Sequence, residues 1–409
     1  MLLREIKIKN LLSFGPEGVT LEMRPLNVLI GPNGSGKSNL IEAIALLRST
    51  AVVPSSTSVG DLRDVVRRGG GGAAEWIWKA EMPRSQRLRI SLGSGGVRRA
   101  YIEAIIQGPK GRQPLRHFLS FREFNQSIEL VDERIENSHP YPGKDSAYFY
   151  YQFQKGHPVI AVKHKQRSLT RETVDLDESI VGQRRDAETF PEINYLAGAY
   201  DGIRIYREWT FARTSVFRAP QPADLRGAPL QEDFSNLGLF LNYLRGIPRA
   251  KAAIIEHLRD LYEGLEDFDV SIRGGAVELF LTEGDFVVPA KRLSDGTMRY
   301  LCLLAILCDP NPPPLICIEE PELGLHPDLL PKIADLLVEA SSRTQLIVTT
   351  HSDILVDATT DHPEDVVVFE KHQGRTEVKR LQDSELKVWL EKYRLGQLWT
   401  RGQIGGTRW

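Results

Sequence analysis

The sequence predicts an α/β fold with a mixed sheet, an antiparallel β subdomain and an inserted α+β region. Three features predict it: helix-like and strand-like segments alternate after Lys291, a glycine-rich loop lies at 31–38, and short alternating runs fill residues 75–130. Strict alternation implies parallel strands covered by helices, whereas short runs broken by Gly and Pro imply antiparallel strands.

Composition is that of an ordinary globular protein. Of 409 residues, 41% are hydrophobic, and 52 Lys and Arg against 54 Asp and Glu give a net charge of −2. This balance excludes a polybasic chain, so any contact with nucleic acid must come from a local patch. Cys302, Cys308 and Cys317 lack the spacing of a disulfide framework or a zinc site. Because no apolar segment has signal-peptide or membrane-spanning character, we expect a cytoplasmic protein without a membrane partner.

The predicted elements follow from the spacing of apolar residues along the chain. Residues 2–8 and 19–23 read as half-exposed strands, 26–30 as a buried strand, 37–48 as a helix, and 75–130 as an antiparallel meander. Residues 250–261 read as a helix, and 268–288 as three short strands. The rest alternates: helix 297–307, strand 315–319, helix 328–340, strand 345–350, helix 352–357 and strand 365–370. The predicted domains are an N-terminal lobe (1–133), an inserted region (134–289), a C-terminal lobe (290–370) and a tail (371–409).

The loop GPNGSGKS at 31–38 fits the pattern GxxxxGK[ST] between a buried strand and a helix. Its glycines let backbone N–H groups turn toward phosphate oxygens, and the helix N-terminus adds partial positive charge. A chance glycine-rich turn is the alternative, but the flanking strand and helix disfavour it. The candidate nucleotide-binding residues are Gly31, Asn33, Gly34, Ser35, Gly36, Lys37, Ser38 and Asn39, with Lys37 on the β/γ-phosphates and Ser38 on Mg²⁺.

Glu319 and Glu320 end the apolar strand of LICIEEPELGLHP, where α/β folds bind ligands. One acid can hold the Mg²⁺ shell while the next polarises an attacking water. The alternative is an acidic strand end without a partner, which the phosphate loop makes improbable.

Two further motifs are weaker when taken alone. Ser294 and Gly296 open a predicted helix in LSDGT, and such a helix start is either a second anion site or an ordinary N-cap. His351 ends the next apolar strand in TTHS. A histidine after a strand is more often structural, but this one can reach the same γ-phosphate.

Taken in order, the phosphate loop, LSDGT, IEEPELGLHP and TTHS resemble the ABC-type ATPase heads of the RecF, SMC and OLD group. The resemblance covers residues 1–48 and 290–370. It implies an ABC-type P-loop ATPase head that hydrolyses ATP with Mg²⁺. It also implies a homodimer, because heads of this group pair so that each signature loop closes on the ATP of the other subunit.

The resemblance also implies a role for each matching residue. Lys37 and Ser38 are the Walker A pair, Glu319 takes the Walker B metal position, Glu320 is the catalytic base, Ser294 and Gly296 form the signature loop, and His351 is the switch histidine. The chain departs from the group at Glu319, where Asp is usual, and at Asp295 and Thr297, where many members have Gly and Gln. For the Q-loop glutamine, a ligand of nucleotide and metal, Gln183 in SIVGQRRD is our choice and Gln152 is the rival.

The segments between and after the motifs indicate the subfamily. No heptads lie between Lys37 and Ser294, which excludes SMC-like arms, and the segment after His351 is too short for the TOPRIM nuclease domain of many OLD proteins. The chain resembles compact stand-alone ATPases that often pair with a separately encoded effector, such as a nuclease, in bacterial antiphage defence. A nucleotide-binding subunit of an ABC transporter and a nucleotide-gated scaffold with little turnover are the alternatives.

Two segments suggest partners outside the motifs. Residues 84–122 hold Arg84, Arg87, Arg89, Arg98, Arg99, Lys110, Arg112, Arg116 and Arg122 against Glu103, which predicts either a surface for duplex DNA or a sheet face balanced by acids elsewhere. The tail holds Trp389, Trp399 and Trp409. It either docks a protein partner or folds back over the ATPase sheet.

Overall fold

The computed structural model describes residues 1–52, 65–66, 72–79, 99–125, 127–154, 156–162, 165–168, 175, 178–207, 209, 211, 215–261 and 264–406. Its strands are β1 (Leu3–Lys9), β2 (Val19–Glu22), β3 (Leu26–Ile30), β4 (Arg99–Ile106), β5 (Leu115–Phe124), β6 (Ser127–Asn137), β7 (Phe149–Gln154), β8 (His157–Val162), β9 (Lys165–Ser168), β10 (Ile203–Tyr206), β11 (Gln221–Pro222), β12 (Leu265–Arg273), β13 (Ala276–Glu283), β14 (Phe286–Pro289), β15 (Leu315–Glu319), β16 (Gln345–Thr349), β17 (Val366–His372) and β18 (Arg375–Arg380). Its helices are α1 (Lys37–Ser49), α2 (Ala73–Trp76), α3 (Ile180–Gln183), α4 (Pro191–Asp201), α5 (Leu237–Arg245), α6 (Pro248–Leu258), α7 (Asp295–Leu307), α8 (Leu330–Ser341), α9 (Asp353–Asp357), α10 (Asp383–Leu390) and α11 (Leu395–Thr400).

A parallel sheet forms the centre of the fold, as the alternation after Lys291 predicts. Its strand order is β10-β15-β16-β3-β17-β18, with the first five strands parallel and β18 antiparallel at one edge. The strands β3, β15 and β16 at its centre are buried on both faces, which explains their continuously apolar sequences. Because β16 lies between β3 and β15, the carboxyl ends of these three strands meet at one edge of the sheet.

The central sheet separates two hydrophobic cores. Val28 and Ile30 of β3 face one core with the buried side of α7, whereas Leu29 faces the other core with α1 and the antiparallel sheet. Alternate residues of a strand point to opposite faces, so one five-residue strand contributes to both. The signature helix and the phosphate-loop helix therefore cover opposite faces of the same sheet.

The antiparallel sheet confirms the predicted meander from Arg99 onward, in the order β2-β1-β4-β5-β6-β7-β8-β9. At the start of the predicted range the structure has the helix α2 instead of a strand, and residues 80–98 lie outside the described residues. The sheet also extends further than the sequence indicates. The predicted boundary between residues 133 and 134 lies inside β6, and the sheet continues to Ser168. The aromatic run at 148–153 is therefore the strand β7 of this sheet, and does not open a separate region.

The remaining predicted elements are present with small shifts. Residues 268–288 fall in β12, β13 and β14, which form a third sheet with β11. The helix predicted at 250–261 spans 248–258, and the helix predicted at 297–307 begins two residues earlier, at Asp295. In the part of the chain that the structure describes, no helix is both long and apolar enough to cross a membrane.

The tail folds back onto the C-terminal lobe, which is the second of the two alternatives for this segment. The strand β18 joins the central sheet, and α11 packs against α9. Trp399 is buried, whereas Trp389 is half-exposed. The third tryptophan of the tail, Trp409, lies outside the described residues.

Candidate nucleotide-binding site

The phosphate loop connects β3 to α1, as the motif requires. Gly31, Gly34 and Gly36 adopt φ angles of 144°, 77° and 110°, which side chains disfavour. A Cβ on Gly31 would lie 2.2 Å from the carbonyl oxygen of Phe369, so only glycine fits there. Glycine at these positions lets the loop backbone curl in front of the helix N-terminus, which gives it the shape of a phosphate cradle.

Lys37 lies folded over this loop. Its Nζ donates to the carbonyl oxygens of Gly31 at 2.7 Å and Pro32 at 3.3 Å, and its side chain is buried. Burial lowers the pKa of Lys37 to about 8, although the carboxylates of Glu320, Glu322 and Glu319 act in the opposite direction. The lysine is thus a buried cation that faces the acids at the strand ends.

Side chains outside the motif hold the loop from its outer side. Thr376 on β18 donates its hydroxyl proton to the carbonyl oxygen of Ser35 at 2.7 Å, and its Oγ1 accepts from the hydroxyl of Ser13 at 2.6 Å. Asn39, a predicted nucleotide-binding residue, donates to the same Ser13 hydroxyl at 2.6 Å. Sequence reasoning missed Ser13 and Thr376, because their role depends on the hairpin β17–β18 reaching the loop from more than 300 residues away.

Glu319 and Glu320 lie at the carboxyl end of β15, as predicted. The backbone N–H of Glu320 donates to the carbonyl oxygen of Thr349 at 3.0 Å on the neighbouring strand β16. Glu320 has a φ of 47°, a left-handed conformation that a non-glycine side chain rarely adopts. This turn ends the strand directly at the two acids, and such strained positions often occur at functional sites.

The residues present fit a magnesium ion. Burial raises the pKa of Glu319, while Arg207 and a hydrogen bond from Ser38 oppose this shift. The buried Oε1 of Glu319 has no hydrogen-bond partner, and neither does the buried hydroxyl of Ser35. Among the described residues no group of three or more His, Cys, Asp or Glu could hold a metal by itself. Magnesium is usually bound by one or two carboxylates together with substrate phosphates, so Ser38 and Glu319 match its needs.

His351 follows β16 and lies beside the catalytic candidate. Its Nε2 is 3.6 Å from Oε1 of Glu320. Burial and the nearby Lys37 lower the pKa of His351, and Glu320 acts in the opposite direction. The imidazole is therefore neutral at neutral pH, a state in which one ring nitrogen can accept a proton.

A third acid, Glu322, supports this end of the site. Its Oε1 accepts hydrogen bonds from the hydroxyl of Thr350 at 2.8 Å and from the backbone N–H of His351 at 2.7 Å. Burial raises its pKa, and its Oε2 is buried without a partner. The sequence EEPE signals an extra acid, but only the structure shows that Glu322 joins the ends of β15 and β16.

Arg207, at the end of β10, is a site residue that sequence reasoning missed. Its guanidinium forms an ion pair with Glu42 on α1, one helical turn beyond Ser38. Burial lowers the pKa of Arg207, but Glu42 and Glu319 more than offset this, so its net shift is upward. It is the charge that most favours the ionised form of Glu319.

The signature loop lies at the start of α7. Ser294 caps the helix, since its Oγ accepts the N–H of Thr297 at 3.0 Å. The buried Arg218 donates to the carbonyl oxygen of Leu293 at 2.6 Å and pairs with Asp295 at 2.5 Å. This ion pair gives the carboxylate of Asp295 a partner in the fold. Within the described residues no hydrogen bond joins Ser294 or Gly296 to the phosphate loop of the same chain.

The structure does not bring Gln183 to this site, which corrects our choice of Q-loop residue. Gly182 packs against the carbonyl oxygens of Thr50 and Val52, beyond the C-terminal end of α1. The phosphate loop is at the other end of this 13-residue helix, about 20 Å away at the helical rise per residue. The Gln183 amide instead donates to backbone carbonyls of its own turn. The rival Gln152 lies on β7 of the antiparallel sheet.

The basic segment is only partly described, because Arg84, Arg87, Arg89 and Arg98 lie outside the described residues. Of the others, Arg112 pairs with Glu192, Arg116 with Glu103 and Glu136, and Arg122 with Glu129. Two of these acids, Glu129 and Glu136, lie on β6 and therefore outside the basic segment 84–122. The positive charge available in the described part is therefore smaller than the sequence count indicates.

A sequence model of one protein family matches residues 26–357; the family is described as "AAA domain, putative AbiEii toxin, Type IV TA system". This match spans all the motifs of the site. No protein with curated function matches the chain in sequence.

Solved structures of SMC heads share the fold. An SMC head bound to the C-winged helix domain of ScpA is 14% identical with a TM-score of 0.51, covering 94% of this chain and 99% of its own. An SMC head with an extended coiled coil, bound to the C-terminal domain of ScpA and derived from Pyrococcus furiosus, is 13% identical with a TM-score of 0.56, covering 96% and 99%. At these identities the likeness concerns the fold alone.

Proposed function

The chain belongs to this AAA-domain family and has the ABC-type ATPase fold of SMC heads, and on that premise we propose that it is an ATP-hydrolysing switch that dimerises around ATP. One observation carries the proposal. The phosphate loop, the acids Glu319 and Glu320, and His351 follow three adjacent parallel strands and converge on one edge of the sheet.

The proposed chemistry assigns a role to each group. Lys37 moves from the loop carbonyls to the β/γ-phosphates, and the loop N–H groups bind phosphate oxygens. Ser38 and Glu319 would hold Mg²⁺, which neutralises charge on the phosphates. Glu320 accepts the proton of the attacking water, and the neutral His351 beside it faces the γ-phosphate. Glu322 keeps the backbone of His351 in place.

Dimerisation follows from the position of the signature loop. Ser294 and Gly296 lie at a helix N-terminus that can bind a phosphate, yet in the described residues they form no hydrogen bond with their own phosphate loop. We propose that they close on the ATP of a second copy, as the resemblance to paired heads implies. The active unit is then a homodimer with two composite sites.

For the biological role, we propose that the chain acts together with a second, separately encoded protein. The family description names the toxin of a toxin–antitoxin system, which supports action together with a separately encoded partner. We propose that the chain is the ATPase component of a bacterial antiphage defence system with an effector such as a nuclease, and that it controls a nucleic-acid-directed process. Duplex DNA is the proposed nucleic-acid partner, supported by the exposed Arg99 and Lys110.

The test is an ATPase assay with Mg²⁺, with and without duplex DNA, on the wild type and four variants: Lys37→Ala, Glu319→Gln, Glu320→Gln and Glu339→Gln. Lys37→Ala should abolish ATP binding, because no other described cation lies over the loop carbonyls. Glu320→Gln should bind ATP but lose hydrolysis by at least about a hundredfold. Glu339→Gln, an exposed glutamate on α8, should behave like the wild type.

Other outcomes would point elsewhere. Wild-type turnover in Glu320→Gln, together with its loss in Glu319→Gln, would reverse the roles of the two acids. ATP binding without any turnover in the wild type would instead favour a nucleotide-gated scaffold.

A further inference from the structure

Residues 395–406, which we name the brace segment, are built into the ATPase lobe. The side chains of Leu395, Leu398 and Trp399 are buried. The backbone N–H of Gly396 donates to Oδ1 of Asp357 at 2.7 Å, and a Cβ on Gly396 would lie 2.2 Å from the carbonyl oxygen of Asp353. The segment is therefore docked closely on α9, the helix that follows His351.

The far end of the brace segment reaches the phosphate loop. A Cβ built on Gly406 would lie 3.4 Å from the Cα of Gly31, the first residue of the loop. Both polar backbone groups of Gly406 are fixed: its N–H donates to Oε1 of Glu370 at 2.9 Å, and its carbonyl accepts from Nε1 of Trp399 at 3.1 Å. A backbone held at both groups has a defined position rather than a loose surface contact.

Gly31 is thereby enclosed on several sides. On one side lies the carbonyl oxygen of Phe369 on β17, which would be only 2.2 Å from a Cβ on Gly31. Its own carbonyl holds Lys37, which must leave this oxygen to reach a phosphate. Gly406 packs against the Cα of the same residue. A change in the brace segment therefore acts on the peptide from which Lys37 departs.

We propose that the brace segment positions the phosphate loop, so that docking of Gly406 on Gly31 raises the affinity for ATP. The proposal rests on the nucleotide site proposed above and adds its regulation. Without this contact, the first turn of the loop is free to move. ATP must then order this turn when it binds, and the entropic cost weakens the binding. By thermodynamic linkage, bound ATP stabilises the docked brace segment by the same factor.

The test changes the two groups that hold Gly406. Glu370→Ala removes the acceptor for the Gly406 N–H, whereas Glu370→Gln keeps an oxygen that can accept it. The side chain of Glu370 is 43% exposed, so neither change should unfold the protein. We expect Glu370→Ala to weaken ATP binding about fivefold, the effect of one lost hydrogen bond, and Glu370→Gln to stay within about twofold of wild type. Binding is measured by calorimetry, with the melting temperature recorded for each variant.

Matched controls separate the brace from other effects. His372→Ala removes the other neighbour of Glu370, an imidazole at 3.7 Å, and should leave ATP binding unchanged. Trp399→Phe removes the indole donor to Gly406 and should weaken binding, whereas Trp389→Phe makes the same change at a half-exposed position and should not. Hydrogen exchange should show that ATP slows exchange of the Gly406 amide in the wild type.

The outcomes distinguish the two proposals. If the wild type does not bind ATP, the proposed nucleotide site itself fails. If the wild type binds ATP and the folded Glu370→Ala variant binds it equally well, only the brace is overturned. Equal weakening in Glu370→Ala and Glu370→Gln would also overturn it, because the hydrogen bond to Gly406 would not be the cause.

Discussion

At the scale of single residues, the charges of the site form one connected set. Lys37 faces three carboxylates, and Arg207 balances Glu319 and Glu42 from the other side. Burial raises the pKa of Glu319, and Arg207 opposes this shift more than any other charge. The roles of Lys37 and Glu319 are thus coupled to an arginine outside any motif.

Arg207 provides the residue-scale prediction. Arg207→Ala leaves Glu42 and Glu319 without their shared cation, and we expect the free energy of unfolding to fall by about 2 kcal/mol, less than for a fully buried pair. Urea denaturation measures the change. Arg185→Ala removes a more exposed ion pair with Asp201 and should cost about 0.5 kcal/mol.

A double variant shows whether the loss comes from the pair. Since Glu42→Gln removes the acid that Arg207 neutralises, its combination with Arg207→Ala should be less destabilising than the sum of the two single changes. Strict additivity would mean that the loss in Arg207→Ala does not come from the ion pair with Glu42.

At the scale of elements, the ends of helices and strands place the chemistry. The start of α7 is fixed by Arg218, which comes from the inserted region and whose guanidinium contacts the carbonyls of Ala290 and Leu293 and the side chain of Asp295. The inserted region therefore sets the orientation of the signature loop. The family resemblance, which covers residues 1–48 and 290–370, did not predict this role for the inserted region.

The element-scale prediction concerns this support. Arg218→Met should leave ATP binding at the phosphate loop unchanged, because the hydrogen-bond partners of Arg218 in the described residues, Ala290, Leu293 and Asp295, lie at the start of α7. Hydrolysis should fall by roughly tenfold or more, since a misplaced signature loop no longer completes the site. Steady-state kinetics together with calorimetric ATP binding measure both quantities.

Arg245→Met is the matched control, because this arginine pairs with Asp269 on the third sheet, away from the loop. An equal fall in ATP affinity and turnover in Arg218→Met would argue for general destabilisation instead of a specific effect on the signature loop.

At the scale of the whole molecule, the central sheet carries the phosphate loop helix on one face and the signature helix on the other. In the proposed function, these are two half-sites that one copy does not join itself. The proposed dimer joins both at once through a two-fold axis, which is how isologous dimers complete shared sites.

The whole-molecule prediction is an ATP-dependent dimer. Glu320→Gln with ATP and Mg²⁺ should have twice the mass of the nucleotide-free protein, because bound ATP is not consumed. Light scattering after size-exclusion chromatography measures this mass. Adding Ser294→Arg should abolish the dimer while ATP still binds, because the larger side chain blocks the approach of the second copy.

A dimer of equal strength without nucleotide would contradict pairing through ATP. A monomer in all conditions would leave two unconnected half-sites and contradict the composite site.

The sequence by itself determined the class of the molecule and the core of its site. The motif at 31–38, the acids at 319 and 320 and the histidine at 351 are local patterns, because each depends on one strand and the residues that follow it. Parallel strands present their carboxyl ends together, so the meeting of these motifs could be predicted as well. The continuously apolar strands and their alternation with helices gave the central sheet in the same way.

Only the tertiary structure decided which distant residues support this core. Ser13, Arg207, Arg218 and Thr376 act through contacts across tens to hundreds of residues, and no local pattern signals them. The choice of Gln183 failed for the same reason, since a glutamine beside a small residue carries no information about which end of α1 it packs against. Whether the tail folds back was also decided by the tertiary structure. Trp399 is buried because α9 and β17 form a surface for it, and that surface exists only once the sheet has formed.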